Sequence, residues 1–371
     1  MTDPRAGYDA LHGCPLTRDA ANRWVVVSHP DALAVVTDPG TYSSHVSRFL
    51  QVPNGLDGEA HREARLLLDP FFSAERMAEL QPALEVIARE LVASVPAGGS
   101  VDAVTELGSR YAVQAQSAWL GWPTELEPEL LAWMDDNHAA TRSGELARTA
   151  EVAHRFDGII RRLLMPRRSQ PPGPPPDVTA ELMRLRHLDG RPWSEEEIVS
   201  VLRNWTGGDL GSLALCAGVT LHWFATHPEL ADQLVDASDA EFDRAVDEIL
   251  RIDDPFVSNR RAATEPTVLS KQPIERGDKL VVNWTAANRD PAVFADPDAY
   301  RPDDNAAANL VYGAGPHICP GRPLATLELR VLLRAVLADQ RVRLDPDSVP
   351  EREQPPVGGF RHVRVILESR S

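Results

Sequence analysis

Tyr312-Gly313-Ala314-Gly315-Pro316-His317-Ile318-Cys319-Pro320-Gly321-Arg322-Pro323-Leu324-Ala325 is the stretch on which the reading of this 371-residue chain turns. It begins like a dinucleotide-binding fingerprint, but the third glycine position holds Ile318 and Pro316 forbids a smooth helix start, so that reading fails. Gly313 and Gly315 remove side chains where the backbone must lie close to something flat. Pro316 and Pro320 stiffen the loop. A helix that begins just after Cys319 points its free amide hydrogens and its positive dipole end back at the sulfur. Such surroundings favour a thiolate. The alternative is a buried structural cysteine in a tight turn, but the joint spacing of two glycines, His, Cys, Gly, Leu and Ala favours a ligand.

A deprotonated sulfur in a rigid, glycine-cleared loop suits the proximal ligand of a haem iron, where a thiolate pushes electron density toward bound oxygen. The segment resembles the haem-binding signature of the cytochrome P-450 superfamily, Phe-Gly-x-Gly-x-His-x-Cys-x-Gly-x-x-Leu-Ala. Every element is matched except the leading Phe, which is Tyr312 here. An aromatic ring is kept, although a phenol so near the ligand loop can alter its hydrogen bonding. The resemblance makes Cys319 the iron ligand, with Tyr312, Gly313 and Gly321 shaping the loop around it.

Other segments stand in register with that signature. Glu248-Ile249-Leu250-Arg251 matches the family's Glu-x-x-Arg motif, and on a helix this i, i+3 pair shares one face. In the family such a pair supports the proximal side, and Arg301 sits where the third member is placed. Haem carries two propionates that need cationic or hydrogen-bonding partners. The family register offers His61 and Arg65 on an early helix, Arg261 at a strand start, and His317 in the loop.

The long helix that the resemblance lays across the distal face departs from the family. Counting back from His227-Pro228, Ser212 falls on the usual Thr and Gly211 on the usual acid, while the nearest carboxylate is Asp209. Gly208 and Gly211 still permit the local widening that makes room for oxygen. Oxygen activation needs a relayed proton. Three explanations stand open: Ser212 with Asp209 and water does the work, the substrate supplies a group, or the reaction is not ordinary hydroxylation.

Charge and composition exclude other classes. With 38 basic against 55 acidic residues the formal charge is −17, which opposes both nucleic acid and anionic lipid. Three cysteines, at 14, 216 and 319, make neither a disulfide framework nor a zinc spacing. Met1 to Arg23 has no apolar core of signal-peptide type, so a cytoplasmic protein is expected. Leu210 to Ala225 is too short and too polar to span a bilayer and reads as a buried helix.

The periodicity is mainly helical with a small β part, and βαβ alternation is missing, which argues against a doubly wound nucleotide fold. A short strand is expected at Trp24–Val27, a helix at 29–37, a loop between Ser44 and His61, and helix from His61 to Val95 broken near Pro70. Ser194 with Glu197 is a capping box that opens a helix of about 30 residues. Residues 262 to 284 read as a small sheet, a helix follows Gly321, and strands finish the chain around Val363–Ile366. The proline-rich run 166–176 reads as a linker, a ligand for a proline-binding module, or a stiff connector between helices, and we favour the connector.

The resemblance therefore implies one haem domain over 1–371, mainly α with a small β region. It would be a triangular prism holding haem b between the long helix and the cysteine loop. It also implies an external ferredoxin or flavodoxin with its NAD(P)H reductase, O2 and a small molecule as partners, and neither nucleic acid nor membrane. The expected activity is a monooxygenase that tailors a medium-sized, largely apolar molecule of secondary metabolism. An oxidase that couples or cyclises without inserting oxygen is the second reading, and a haem protein that senses or binds without turnover the third. Pocket walls are expected near 45–60, around Asn204 to Ser212 and around Pro255 to Ser258, with Asn204, Ser258 and Asn259 as polar contacts.

Overall fold

A computed structural model describes residues 5–169, 173–355 and 357–370. The first four residues of the amino-terminal stretch and the middle of the proline-rich run, 170–172, lie outside the described residues. Helices dominate, and the longest is Glu195–Thr226 at 32 residues, about 48 Å at 1.5 Å per residue. Its start is fixed as the sequence requires: Glu197 N–H donates to Ser194 Oγ at 3.2 Å and Ser194 N–H donates to Glu197 Oε2 at 2.8 Å. Most side chains from Leu210 to Phe224 are buried, so this helix runs through the core rather than along its surface. Among the described residues no helix is long and apolar enough to cross a membrane.

Around this pillar lie helices Gly58–Leu68, Ala74–Ala93, Ser109–Leu120, Glu127–Ser143, Leu146–Arg168, Asp239–Ile252 and Arg322–Asp339. The break near Pro70 is real: Asp69–Phe72 forms a tight turn, and Ser73 caps the next helix by accepting from the Arg76 N–H at 3.4 Å. The proline-rich run opens inside helix Leu146–Arg168, which contains Pro166. Leu163 and Leu164 before it and Leu182 and Ile198 after it pack into the same apolar cluster, which fits a connector.

The β part is more divided than the expected single sheet. Ser258–Ala263 pairs antiparallel with Lys279–Asn283, and Trp24–Val26 joins the latter in parallel. Leu16–Arg18 and Tyr42–Ser43 complete five strands. Thr267–Leu269 instead folds back on Gln272–Ile274 as a separate hairpin. Its two-residue turn, Ser270-Lys271, has positive φ at both positions (46° and 63°), the backbone of a tight hairpin that no glycine announced. At the carboxyl end Arg364–Ser369 lies between Ser100–Asp102 and Gln340–Leu344. The cysteine loop and the helix Arg322–Asp339 that follows it face the middle of the long helix, and the candidate site lies between them.

Candidate active site

The cysteine loop is built by close backbone approach. Cys319 N–H donates to Tyr312 O at 2.9 Å and Ile318 N–H to Gly315 O at 3.1 Å. Gly313 and Gly315 sit at φ +71° and +70°, and a Cβ on Gly315 would lie 2.5 Å from Val36 O. Only glycine lets the loop rest on helix His29–Thr37 there. Burial pushes the Cys319 thiol up, and the backbone N–H groups of Gly321 and Arg322, which reach the sulfur, pull it down. The helix start thus reaches the sulfur, but burial outweighs it and the thiol stays above its ordinary range. Burial also raises the Tyr312 phenol well above its ordinary range. Its hydroxyl lies 3.4 Å from Thr326 Oγ1, and Arg322 sits over the ring at 4.9 Å.

Between the loop and the long helix is a cavity of about 730 Å³. Cys319, Tyr312, Gly313 and Gly321 line one side, and Gly208, Asp209, Gly211 and Ser212 line the other. Part of the roof comes from the 44–55 loop. Val52 N–H donates to Ser200 Oγ at 2.8 Å, and Asn204 Nδ2 donates to Val52 O at 3.1 Å. Asn204, Ser258 and Asn259 all line the cavity as expected, and Asn204 Nδ2 also donates to Ser200 O at 2.9 Å.

The four expected propionate partners are used unequally. Arg261 and His317 line the cavity. His61 stacks on His317, ring centroids 4.0 Å apart. Arg65 turns elsewhere: Nη1 donates to the carbonyls of Pro316 (3.0 Å) and Ile318 (2.9 Å), and Nε to Asp69 at 2.6 Å. It clasps the cysteine loop through those carbonyls.

Arg261 is buried and donates from Nη1 to its neighbour's carbonyl, Arg260 O, at 2.9 Å. His317 Nε2 is buried without a well-formed hydrogen bond, and the carboxylate that faces it, Asp57, stands at 3.4 Å. Burial, His61 and Arg261 together hold the His317 pKa down to about 4. A buried guanidinium and an orphaned imidazole on one rim are costly unless an anion completes them. The thiol, the cavity and this rim fit a haem with its carboxylate arms.

Beneath the loop, Glu248 and Arg251 form the expected pair, with Nε–Oε2 at 2.8 Å and Nη2–Oε1 at 2.9 Å, and both side chains are buried. Arg251 also donates to Asn288 O and Pro297 O. The third member differs in kind. Arg301 joins through its backbone N–H, 3.0 Å from Glu248 Oε1, while the residue itself is exposed. Asn305 Nδ2, missed in the sequence, adds a bond at 2.7 Å.

Asp209 has an acidic neighbour that the sequence did not announce. Glu328, from Arg322–Asp339, is fully buried and both its carboxylate oxygens lack protein partners, as does Asp209 Oδ2. The two carboxyls face each other, and the buried, unpartnered Tyr111 hydroxyl is close enough to feel both. Two facing acids so poorly solvated do not both ionise readily, which favours the protonated form of each. Burial pushes Asp209 up to about 7 and Glu328 well above its ordinary range. A carboxyl raised on folding stabilises the protein below its unfolded pKa and loses that contribution as pH rises through the folded one. Asp209→Asn should therefore gain on the wild type between pH 5 and pH 8. We expect a Tm advantage of about 1–2 °C per kcal/mol relieved, read by thermal denaturation at both pH values, whereas a gap independent of pH would dismiss the raised carboxyl.

A family model described as Cytochrome P450 matches residues 242–364. The chain is 27% identical to cyclomarin C epoxidase of Salinispora arenicola, covering 95% of this chain and 93% of that protein. It is 28% identical to the erythromycin C-12 hydroxylase of Saccharopolyspora erythraea, over 96% and 92%. Among solved structures, a mutant of P-450 EryK in complex with erythromycin B matches with a TM-score of 0.88 at 25% identity, covering 98% of this chain and 96% of that one. HmtN, a post-tailoring hydroxylase of himastatin biosynthesis, matches at 0.84 and 25%, over 99% and 100%.

Proposed function

We propose that this chain is a haem-dependent oxidoreductase of the cytochrome P-450 type, a monooxygenase tailoring a medium-sized secondary metabolite, in which Cys319 would hold the haem iron. The observation that carries this is the placement of Cys319 in one cavity with Arg261, His317 and the glycine-opened face of the long helix. Haem b held by a thiolate supplies activation of O2, with electrons from a ferredoxin or flavodoxin and its reductase.

The chain's own residues do the rest. Cys319 presents its sulfur from a loop that Gly313, Gly315 and Arg65 hold in one shape. Arg261 and His317 would hold the propionates, with His61 bracing the His317 ring. The Glu248–Arg251 pair fixes the floor beneath the loop through Asn288, Pro297 and the Arg301 N–H. On the distal side Gly208 leaves open space, Ser212 offers a hydroxyl, and Asp209 faces Glu328 with its pKa raised by burial. The cavity has to hold cofactor and substrate together, which favours a medium-sized ligand. Its lining mixes Val257, Leu213 and Trp205 with Asn137, Thr141, Ser258 and Asn259.

Gly211 in place of the family's acid favours a second reading, oxidative coupling or cyclisation without oxygen insertion. Turnover under 18O2, with a surrogate ferredoxin and reductase and a substrate selected by its shift of the ferric Soret band, separates the two. One 18O atom in the product is expected, and an unlabelled oxidised product would replace monooxygenation by coupling.

A further inference from the structure

A relay into the distal cavity needs a supply of protons, and behind Asp209 stand Glu328 and Tyr111, both fully buried. The missing side chain at 211 points to a different supplier. A Cβ on Gly211 would lie 2.9 Å from His138 Nε2. An imidazole from helix Glu127–Ser143 thus occupies the space into which an acid at 211 would project. His138 lines the cavity together with Gly211 and Ser212.

The surroundings of His138 lead outward. The charged groups that act on it are Glu353, from the segment after strand Glu351–Arg352, and Arg142 and Asp135 on its own helix. Arg142 Nη1 donates to Glu353 Oε1 at 2.8 Å, and the Arg142 side chain is a quarter exposed (25%). Asp209, the acid of the opposing helix, is engaged with Glu328. Burial holds His138 below its ordinary pKa, so the ring is neutral at pH 7, with one N–H to give and one lone pair to accept.

Resting on the haem-thiolate reading above, we propose that His138 is the proton-passing group of the distal cavity, standing in for the acid that Gly211 lacks. The imidazole takes a proton from the solvent side past Arg142 and Glu353 and becomes imidazolium. It then releases one at Nε2 to the water or hydroxyl beside Ser212 and returns to neutral. In the reverse direction Nε2 accepts a proton from an acid that enters the cavity.

The reverse direction supplies a test that needs no substrate. Hydrogen cyanide must lose its proton to a distal base as cyanide associates with ferric haem. Association of cyanide with the haem-loaded protein is followed by stopped flow across pH, for wild type, His138→Ala, His138→Gln and His138→Ala/Gly211→Asp. Wild type should slow as pH falls through the His138 pKa. Both single variants should be slower on the order of 100-fold, the scale of general acid–base assistance, and should lose that pH step. Gly211→Asp in the His138→Ala background, where the clash is gone, should recover a large part of the rate. Wild-type rates and pH profile in His138→Ala or in His138→Gln would overturn the assignment. The thiolate-type band of the reduced carbon monoxide complex is recorded for each protein. Its absence from the wild type would instead sink the haem-thiolate reading on which the proposal rests.

Discussion

Cys319→Ser or Cys319→Ala removes the thiolate-type Soret band of the reduced carbon monoxide complex completely and abolishes oxygenase turnover. The other cysteines offer no substitute. Cys216 lines the same cavity but from the middle of the long helix, and burial pushes its thiol well above the ordinary range. Cys14 lies in another part of the fold, its thiol donating to Leu16 O at 3.0 Å. Neither has a helix start aimed at its sulfur, which is what tempers the thiol of Cys319. The loop itself should survive, because its shape is set by Gly313, Gly315 and the backbone bonds from Cys319 N–H and Arg65, none of which involve sulfur. Circular dichroism should match the wild type while the thiolate spectrum is gone. A persisting thiolate band in Cys319→Ala would mean that another residue holds the iron.

Arg251→Ala destabilises the fold by about 3–5 kcal/mol, the cost of leaving a buried charge without its partner. Glu248 then stands buried with two neutral donors, the Arg301 N–H and Asn305 Nδ2, in place of a guanidinium. The carbonyls of Asn288 and Pro297 lose their donor as well. Because that cluster lies beneath the cysteine loop, the yield of haem-loaded protein should fall along with the urea midpoint. Removing both charges in Glu248→Leu/Arg251→Met should cost less than Arg251→Ala alone, since no unpaired charge remains. Additive losses in the double variant would show that the pair is not the coupled unit described.

Local signals made part of this legible in the sequence. The Ser194–Glu197 box and the apolar run to Phe224 specify the long helix, because caps and periodicity act within a few residues. The loop was legible because glycines, prolines and the cysteine fall in one short stretch. What stayed hidden depends on distant segments meeting. His138 sits on an ordinary amphipathic helix, and only its approach to Gly211 marks it. Glu328 looks like a solvated helix residue until the fold buries it against Asp209. Arg65 was readable as a cation near the cysteine loop, but its bonds to the loop carbonyls were not, because they turn on a few ångströms. The Ser270–Lys271 turn escaped because neither residue type signals positive φ.

The central claim, that Cys319 holds the iron of a haem whose carboxylates meet Arg261 and His317, is tested most directly by a crystal structure of the haem-loaded protein with diffraction recorded at the iron absorption edge. The expected result is one anomalous peak bonded to Cys319 Sγ, with both carboxylate arms on the Arg261–His317 rim. Iron bonded to His138, His317 or any other side chain, with Cys319 free, would contradict it.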